Sequence, residues 1–317
     1  MSNTTTVPFP VDPKLIAIAA AHTNPDVTLI ADEVLPRISE IGVENFSYFE
    51  YDLAQGFTIP DMQVGRTGQP NQLEFTGSEK TSRTRDYGLE SPIPNKDIAE
   101  AANKGIRNPV ELATFYLTGL VKLGREVRVA NKVFTGSLYA ASNKVALAGT
   151  DQLSDYTNSD PITVLETAIN TPVIKPNYLV MGEAVWRKLR RHPKLAKAIY
   201  GNQHDGKAVR REDLATELEI KGIFVGESRL NTAKPGLTPT YAGAWGKHIC
   251  AFFRDQSAGI QGGVTFGYQV PRKGFQAGAL PDAKIGVEGG QLVRVWESQD
   301  EVISAPHLGY LIQNAVA

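Results

Sequence analysis

The sequence is short of cysteine, of excess charge and of long apolar runs. Among its 317 residues there is one cysteine, Cys250, so an internal disulfide is excluded. Cys250 lies in the apolar run 248–253, which predicts a small, buried and inert side chain. The formal charge of −1 argues against a protein whose main task is to grip phosphates. The aliphatic run 15–21 is too short to span a bilayer, and no basic leader precedes it, so we expect folding in a reducing cytoplasm.

The motifs of the common enzyme classes are missing as well. No glycine-rich phosphate loop, dinucleotide fingerprint or HExxH zinc motif occurs. The segment 226–230 approaches a nucleophile elbow, but Leu230 stands where the tight turn needs a second glycine, so we do not expect Ser228 to be catalytic. His192 and His204 fit no common zinc-ligand spacing and are interpreted as surface histidines. The sequence therefore predicts no catalytic site, no cofactor and no metal.

What the sequence does contain is a series of segments that differ in character. Residues 1–50 are acidic, with two basic side chains against seven acidic ones. Asp12 followed by Pro13 predicts the start of a short helix, KLIAIAAAH, and residues 26–35 predict a second one. Together these pieces predict an arm with little core of its own. Its acidic side chains either meet a basic neighbour or are simply solvated.

Residues 54–95 form the most unusual stretch. Only ten of these 42 residues are apolar, while five are glycine and four are proline. Strand-like alternation at Phe57/Ile59 and Leu73/Phe75 predicts a long exposed hairpin with its tip in VGRTGQPNQ. So few apolar side chains cannot offset an ordering entropy of about 1 kcal/mol per residue. The segment is therefore either a loop that lies on another surface or a disordered one.

A long helix is predicted next. Asn108-Pro109 with Glu111 is a helix-start signature, and the apolar spacing continues to residue 139, giving about 30 residues and about 45 Å. The stripe predicted to be buried consists of Ala113, Leu117, Leu120, Val127, Phe134 and Leu138. The opposing polar face consists of Glu111, Thr114, Thr118, Lys122, Arg125, Arg128 and Lys132.

From Asp160-Pro161 onward, helices and strands alternate. The pattern predicts helices over ITVLETAIN, 183–191 and 194–200, and strands over 178–181 and 222–226. The tail is rich in predicted strands: HICAFF, TFGYQV and QLVRVWES. The basic run 187–197 fits contact with nucleic acid, but a solvated or subunit-facing surface fits it equally well.

This order of elements resembles the Hong Kong 97-type capsid fold, an α+β fold of tailed double-stranded-DNA bacteriophages. Three local stretches resemble it too: RTRDYGLESPIPNKDIAEAAN, NYLVMGEAVWRKLRRHPKLAKAIYG and LATELEIKGIFVGESRLNT. The resemblance covers residues 12 to 315. It implies an N-terminal arm (1–53), an extended β-hairpin loop (54–95), a long spine helix with the first part of the peripheral domain (96–159), an axial domain (160–290) and return strands of the peripheral domain (291–317).

The resemblance also implies a function. Pentamers and hexamers of this one chain would form an icosahedral head shell in the virion, enclosing phage DNA without sequence-specific binding. Assembly would occur in the host cytoplasm, away from any membrane, with a separate scaffolding protein, a portal and, where present, a decoration protein. A separate scaffold is expected because no long extension precedes the arm. The crosslinking Lys, Asn and Glu of some family members find no match, so no autocatalytic site is expected.

Eight residues are predicted to contact a neighbouring subunit: the two alternating apolar pairs of the extended loop and its four basic side chains. Two alternatives stay open: an encapsulin-type compartment shell with the same fold, and a cytoplasmic α/β enzyme without a recognisable motif. The predicted contact residues are Phe57, Ile59, Arg66, Leu73, Phe75, Lys80, Arg83 and Arg85.

Overall fold

The computed structural model describes residues 9–21, 29–51, 57–72, 77–201, 207–260 and 262–317. Its α-helices are α1 (Pro13–Ala21), α2 (Ala31–Val34), α3 (Asn95–Lys104), α4 (Pro109–Val133), α5 (Pro161–Asn170), α6 (Glu183–Leu189), α7 (Pro193–Tyr200) and α8 (Arg211–Glu217). Its strands are β1 (Asn45–Tyr51), β2 (Gly77–Arg83), β3 (Arg85–Pro94), β4 (Lys144–Ala146), β5 (Tyr178–Gly182), β6 (Gly222–Gly226), β7 (Arg229–Asn231), β8 (Tyr241–Gly243), β9 (Ile249–Phe252), β10 (Gly267–Asp282), β11 (Gly290–Ile303) and β12 (Gly309–Gln313). The predicted mixture of helices and sheets is confirmed.

Side-chain caps fix three of the predicted helix starts. The Asp12 carboxylate accepts a hydrogen bond from the Lys14 amide over 2.8 Å, ahead of α1. Asn108 accepts one from the Val110 amide at 3.0 Å, and Asp160 accepts one from the Ile162 amide at 3.2 Å. Each cap satisfies a backbone N–H that has no partner inside its helix. The sequence therefore determines where these helices begin.

A five-stranded mixed sheet forms the larger core. Its strand order is β4-β12-β9-β5-β6, with β5 and β6 parallel and β9 antiparallel to both β5 and β12. Helices α5 to α8 cover one face through buried side chains that include Leu165, Leu189 and Leu214. The other face packs against α2, the end of α4 and Trp245. Because both faces are covered, strands β5, β6 and β9 contain no charged or amide side chain.

A three-stranded antiparallel sheet forms the second core. The order is β10-β11-β3, and β10 and β11 are 16 and 14 residues long. Helices α1 and α4 lie on this sheet, where Leu15 and Leu117 meet Val293 and Val295. Helix α4 therefore connects the two sheets, because its N-terminal half packs here and its C-terminal end packs under the larger sheet.

The predicted hairpin over 54–95 is wrong in its details. The paired strands are β1 and β2, in register from Asn45↔Arg83 to Tyr51↔Gly77. No strand occurs within 57–72, so the alternation at Phe57/Ile59 does not mark one. Leu73 and Phe75 lie outside the described residues. Strand β3 pairs with β11 in the three-stranded sheet, not with a partner in the loop.

The predicted helix over 108–139 ends earlier, at Val133, and its buried face is different. Leu120 is 56% exposed, whereas Thr114, Thr118 and Arg125 are buried. The two threonine hydroxyls donate to the carbonyls of Val110 and Thr114, four residues back, at 2.9 and 2.7 Å. Since these polar atoms are satisfied within the helix, burying them costs little. The face assignment failed because polarity was taken as a sign of exposure.

His192 is another correction. It was predicted at the surface, but it is fully buried, and its Nε2 lies 3.0 Å from the Ser159 hydroxyl. The ring also meets Tyr156 edge-on, with centroids 5.2 Å apart. The residue sits between two helices, where the ring fills space that solvent would otherwise occupy. His204 lies outside the described residues.

Two glycines end the parallel strands of the larger sheet side by side. Gly182 and Gly226 are register partners on β5 and β6. A Cβ on Gly182 would lie 2.1 Å from the Gly246 carbonyl oxygen, and one on Gly226 would lie 1.9 Å from Cδ1 of Trp245. Neither position has room for a side chain, because the segment 245–246 passes directly over both strand ends.

Candidate subunit-interaction surface

The β1–β2 ladder carries its own charge pairs. Glu44 accepts a hydrogen bond from Nε of Arg83 at 2.7 Å, and Glu50 forms an ion pair with Lys80. The hydrogen bond that Lys80 donates to Glu50 raises the pKa of Lys80. Ser82 reaches Asp300 on β11 at 2.5 Å. Lys80 and Arg83 therefore already have carboxylate partners within the chain, so their predicted role in contacting a neighbour would require them to share or exchange those partners.

The segment 57–72 presents apolar side chains to solvent. Phe57 is 57% exposed, Ile59 81%, Met62 74% and Val64 45%. Its folding is local: the Gly68 amide donates to the Gly65 carbonyl at 2.9 Å, and Asn71 Nδ2 donates to the Asp61 carbonyl at 2.7 Å. Four large apolar groups left in water cost free energy that burial against a second surface would recover.

The structure groups the predicted contact residues into separate sets. Phe57, Ile59 and Arg66 share the exposed segment, whereas Lys80 and Arg83 lie on β2. Arg85 is exposed at the start of β3, opposite Gln299 of β11. Within the described part of the chain, neither Arg66 nor Arg85 has a carboxylate within 4.0 Å. We call residues 57–72 together with β1 and β2 the loop surface.

Sequence reasoning missed two parts of the exposed apolar surface. Met62 and Val64 belong to the loop surface but fall outside the alternating pairs that the prediction used. Leu112, Tyr116 and Leu120 are exposed along α4 at a spacing of four residues. That spacing is the signal that could have revealed this second stripe, since it places all three on one face.

A buried carboxylate connects the arm, helix α4 and the core under the larger sheet. Glu126 of α4 accepts hydrogen bonds from the amides of Ile30 and Ala31 at 2.9 and 2.8 Å. It also accepts one from the indole Nε1 of Trp245, at 2.6 Å. Burial raises the pKa of Glu126, and the hydrogen bonds from Ile30, Trp245 and Ala31 oppose that rise. One side chain thus holds three separate parts of the chain in place.

Two arginines of the same helix continue the network. Arg125 contacts Asp32 at 2.9 Å and Glu297 at 3.3 Å, and Arg128 contacts Glu301 at 3.0 Å. Burial raises the pKa of Glu297, and the Arg125 guanidinium opposes that rise. Four acidic side chains of residues 1–50 form ion pairs within the chain, so internal pairing is favoured over contact with a basic neighbour. The pairs are Asp32 with Arg125, Glu33 with Arg254, Glu44 with Arg83 and Glu50 with Lys80.

The serine of the segment 226–230 and the single cysteine are both buried. Ser228 is 1% exposed and its hydroxyl has no hydrogen-bond partner among the described atoms. Cys250 is buried, as predicted, and burial raises the pKa of its thiol to about 12. No group of three or more His, Cys, Asp or Glu residues able to hold a metal occurs in the described ranges. Nor does a helix there have the length and apolar character to cross a membrane.

Comparison with known proteins adds three likenesses. The family model described as phage major capsid protein E matches residues 138–234. The major capsid protein of Pseudomonas phage JBD67 is 44% identical over 317 residues, which is 100% of both chains. The crystal structure of a phage-related protein from Bordetella bronchiseptica superposes with a TM-score of 0.73 at 19% identity, covering 97% of this chain and 98% of that one.

A capsid structure, that of the cyanophage P-SCSP1u, shares the fold with a TM-score of 0.59 at 11% identity, covering 90% of this chain and 88% of its own. The fold is therefore of the Hong Kong 97 capsid type. The full-length identity of 44% then places it: the chain belongs to the family of phage major capsid proteins. It is a structural protein of the phage capsid and assembles with other copies into a shell. The sequence left open a phage capsid protein, an encapsulin-type shell and a cytoplasmic enzyme, and the first of these is the one shown.

Proposed function

We propose that the chain assembles as pentamers and hexamers into an icosahedral head shell that encloses phage double-stranded DNA. The observation that carries this proposal is the loop surface, where Phe57, Ile59, Met62 and Val64 are exposed on the segment that lies in the sequence between the paired strands β1 and β2. A surface that must serve many slightly different contacts favours a reaching segment over a flat rigid face. The shell subunit is proposed to work without catalysis, cofactor or sequence-specific contact with DNA.

The proposed contact residues are those of the loop surface, with Arg66 and Arg85 adding charge and Lys80 and Arg83 shared between internal and external carboxylates. Leu73 and Phe75 stay part of the proposal. Each exposed pair contributes less than about 1 kcal/mol, so the apolar side chains supply most of the contact energy.

The division of the chain is proposed in the same terms, with an arm (1–53), an extended loop (54–95), a spine helix within 96–159, an axial domain (160–290) and return strands (291–317). The five-stranded sheet corresponds to the axial domain. Strands β3 and β10 fall in the loop and axial ranges by number, but both pair with β11. Strands β4 and β12 belong to the five-stranded sheet but lie outside the axial range by number. Each sheet therefore becomes one unit when β3 and β10 are assigned to the peripheral domain and β4 and β12 to the axial domain.

Assembly is proposed in the host cytoplasm, with a separate scaffolding protein, a portal and, where present, a decoration protein. Electron microscopy of the full chain, expressed with and without the scaffolding protein of its phage, tests the assembly. Closed particles with pentameric and hexameric capsomers support the proposal. If only compact dimers or tetramers form under both conditions, the proposal is wrong.

A further inference from the structure

Basic side chains are concentrated on helices α6 and α7 and on the segment that follows them. Residues 187–211 contain nine lysines and arginines and a single acidic residue, Asp205, in a chain whose formal charge is −1. Five of these cations are exposed on α6 and α7 and on the turn that joins them, and four of the five have no carboxylate of the described residues within 4.0 Å. We call these four the basic patch: Lys188, Arg190, Arg191 and Lys197.

The basic patch lies on a rigid support. Trp186, Leu189 and Leu195 are buried beneath it in the larger core. The backbone of the turn is held from both sides, since the Tyr156 hydroxyl donates to the Lys188 carbonyl at 3.2 Å and the Val209 amide donates to the Arg190 carbonyl at 2.7 Å. The second bond brings the segment of Lys207 and Arg210 alongside, so two further cations border the patch. A preorganised set of charges loses little entropy when it binds.

The four cations of the patch lack the carboxylate partners that several arginines elsewhere in the chain have. Arg125, Arg128 and Arg254 each contact a carboxylate. Across the described residues, none of the four patch side chains has a carboxylate within 4.0 Å, although the neighbouring Arg187 reaches Glu183 at 3.8 Å. Like charges this close repel one another, so a bound anion stabilises the surface. Two copies of the chain cannot place these patches face to face for the same reason.

The composition of the patch favours a phosphate backbone over a protein partner. No large apolar side chain is exposed within 183–200 or 207–217, whereas a protein–protein contact needs buried aromatic or aliphatic side chains at its centre. Duplex DNA carries about one negative charge per 1.7 Å of its axis, and contacts from lysine and arginine to this backbone read no sequence.

We propose that the basic patch binds the phosphate backbone of packaged duplex DNA and faces the interior of the shell. This inference rests on the proposed function, because it requires a shell that encloses DNA. It identifies which exposed surface of the subunit meets the genome.

The test compares two variants of the full chain that lose the same charge. The patch variant carries K188Q, R190Q, R191Q and K197Q, and the control carries K96Q, K234Q, K273Q and K284Q at exposed lysines elsewhere. Binding to a 30-base-pair duplex is measured by fluorescence anisotropy between about 50 and 200 mM salt, and particle formation is followed by electron microscopy. The patch variant should bind at least about tenfold more weakly at 50 mM salt, with a slope of log K against log salt smaller by about 3 to 4. The control should bind within about twofold of the native chain.

Four outcomes overturn the inference. The patch variant binds DNA as tightly as the native chain, or both variants lose the same affinity for DNA. The patch variant alone fails to form particles. An acidic peptide competes for the DNA site at a lower concentration than inorganic phosphate does. The double variant K188Q/R191Q replaces the quadruple one if that fails to fold, with half the change in slope expected. If the native chain binds DNA through the patch but forms no particles, the proposed shell function fails while the binding site stands.

Discussion

The carboxylate of Glu126 lies 2.6 Å from the indole nitrogen of Trp245, although 119 positions separate the two residues in the chain. The same carboxylate receives the first amides of α2, so the spine helix, the arm and the larger sheet meet at one buried acid. This arrangement leads to the first two predictions.

Replacing Glu126 with alanine should destabilise the subunit by about 3 kcal/mol or more, because three buried donors lose their acceptor at once. Urea unfolding of the free subunit measures the change. Glu100→Ala is the matched control on an exposed helix face, where Glu100 pairs with Lys104, and it should cost about 0.5 kcal/mol or less. An equal loss of unfolding free energy in the two variants would show that the buried contacts of Glu126 stabilise the subunit no more than an exposed ion pair does.

Stability should also respond to pH through Glu126. Burial raises the pKa of this group in the folded state, so the folded protein binds the proton more tightly than the unfolded chain does. The native chain therefore loses stability relative to Glu126→Gln as pH rises from about 4.5 through the folded pKa. Parallel urea titrations of both proteins between pH 4 and 8 measure the difference. A constant difference over this range contradicts the raised pKa.

The two leucines of α4 should respond oppositely to an introduced charge. Leu117 is buried against the smaller sheet, so Leu117→Asp should cost more than about 3 kcal/mol or prevent folding. Leu120 is exposed, so Leu120→Asp should change the unfolding free energy by less than about 1 kcal/mol. Circular dichroism during thermal unfolding distinguishes the two variants. If Leu120→Asp fails to fold, Leu120 is buried, as the sequence pattern predicted.

Assembly should protect the loop surface from hydrogen exchange. Amides of 57–72 make few hydrogen bonds in the subunit and should exchange at least about tenfold more slowly in particles, once neighbouring copies cover them. Strand β3 is the internal control, because its ladder with β11 already protects it in the free subunit. If exchange over 57–72 is equally slow in both forms, the segment is an intrinsic part of its own subunit.

The thiol of Cys250 should be unreactive until the chain unfolds. With a pKa of about 12, only about one thiol in ten thousand is ionised at pH 8, and the side chain is buried. A chromogenic disulfide reagent at pH 8 should therefore label the native subunit only at the rate of global opening, and label it at once in 6 M urea. Fast labelling of the native subunit would contradict the burial.

Local chemistry explains what the sequence predicted well. Asn108 and Asp160 are capping side chains that act within three residues, and the strands 178–182 and 222–226 are apolar runs bounded by turns. These signals do not depend on the rest of the chain. The order of elements, and with it the fold family, therefore followed from short stretches of sequence.

The errors arose where distant residues decide the outcome. Arg125 is buried only because Asp32 and Glu297 approach it from segments 93 and 172 positions away. Hydrogen bonding to Ser159 likewise allows His192 to be buried. The hairpin was misplaced because β1 is apolar enough to look like part of the arm, whereas its partner β2 is polar. Met62 and Val64 of the loop surface are recognised as candidate contact residues only by their exposure, and exposure cannot be inferred from residue type.

The two glycines under segment 245–246 look alike in the sequence, but they face different constraints as the protein diverges. A side chain at Gly226 collides with the Trp245 ring, so a smaller residue at position 245 can compensate for it. A side chain at Gly182 collides with a backbone carbonyl, which every amino acid carries. No second substitution relieves that collision without moving the main chain. Descendants of this protein can therefore change Gly226 only together with Trp245, while Gly182 stays fixed for as long as the backbone keeps its course.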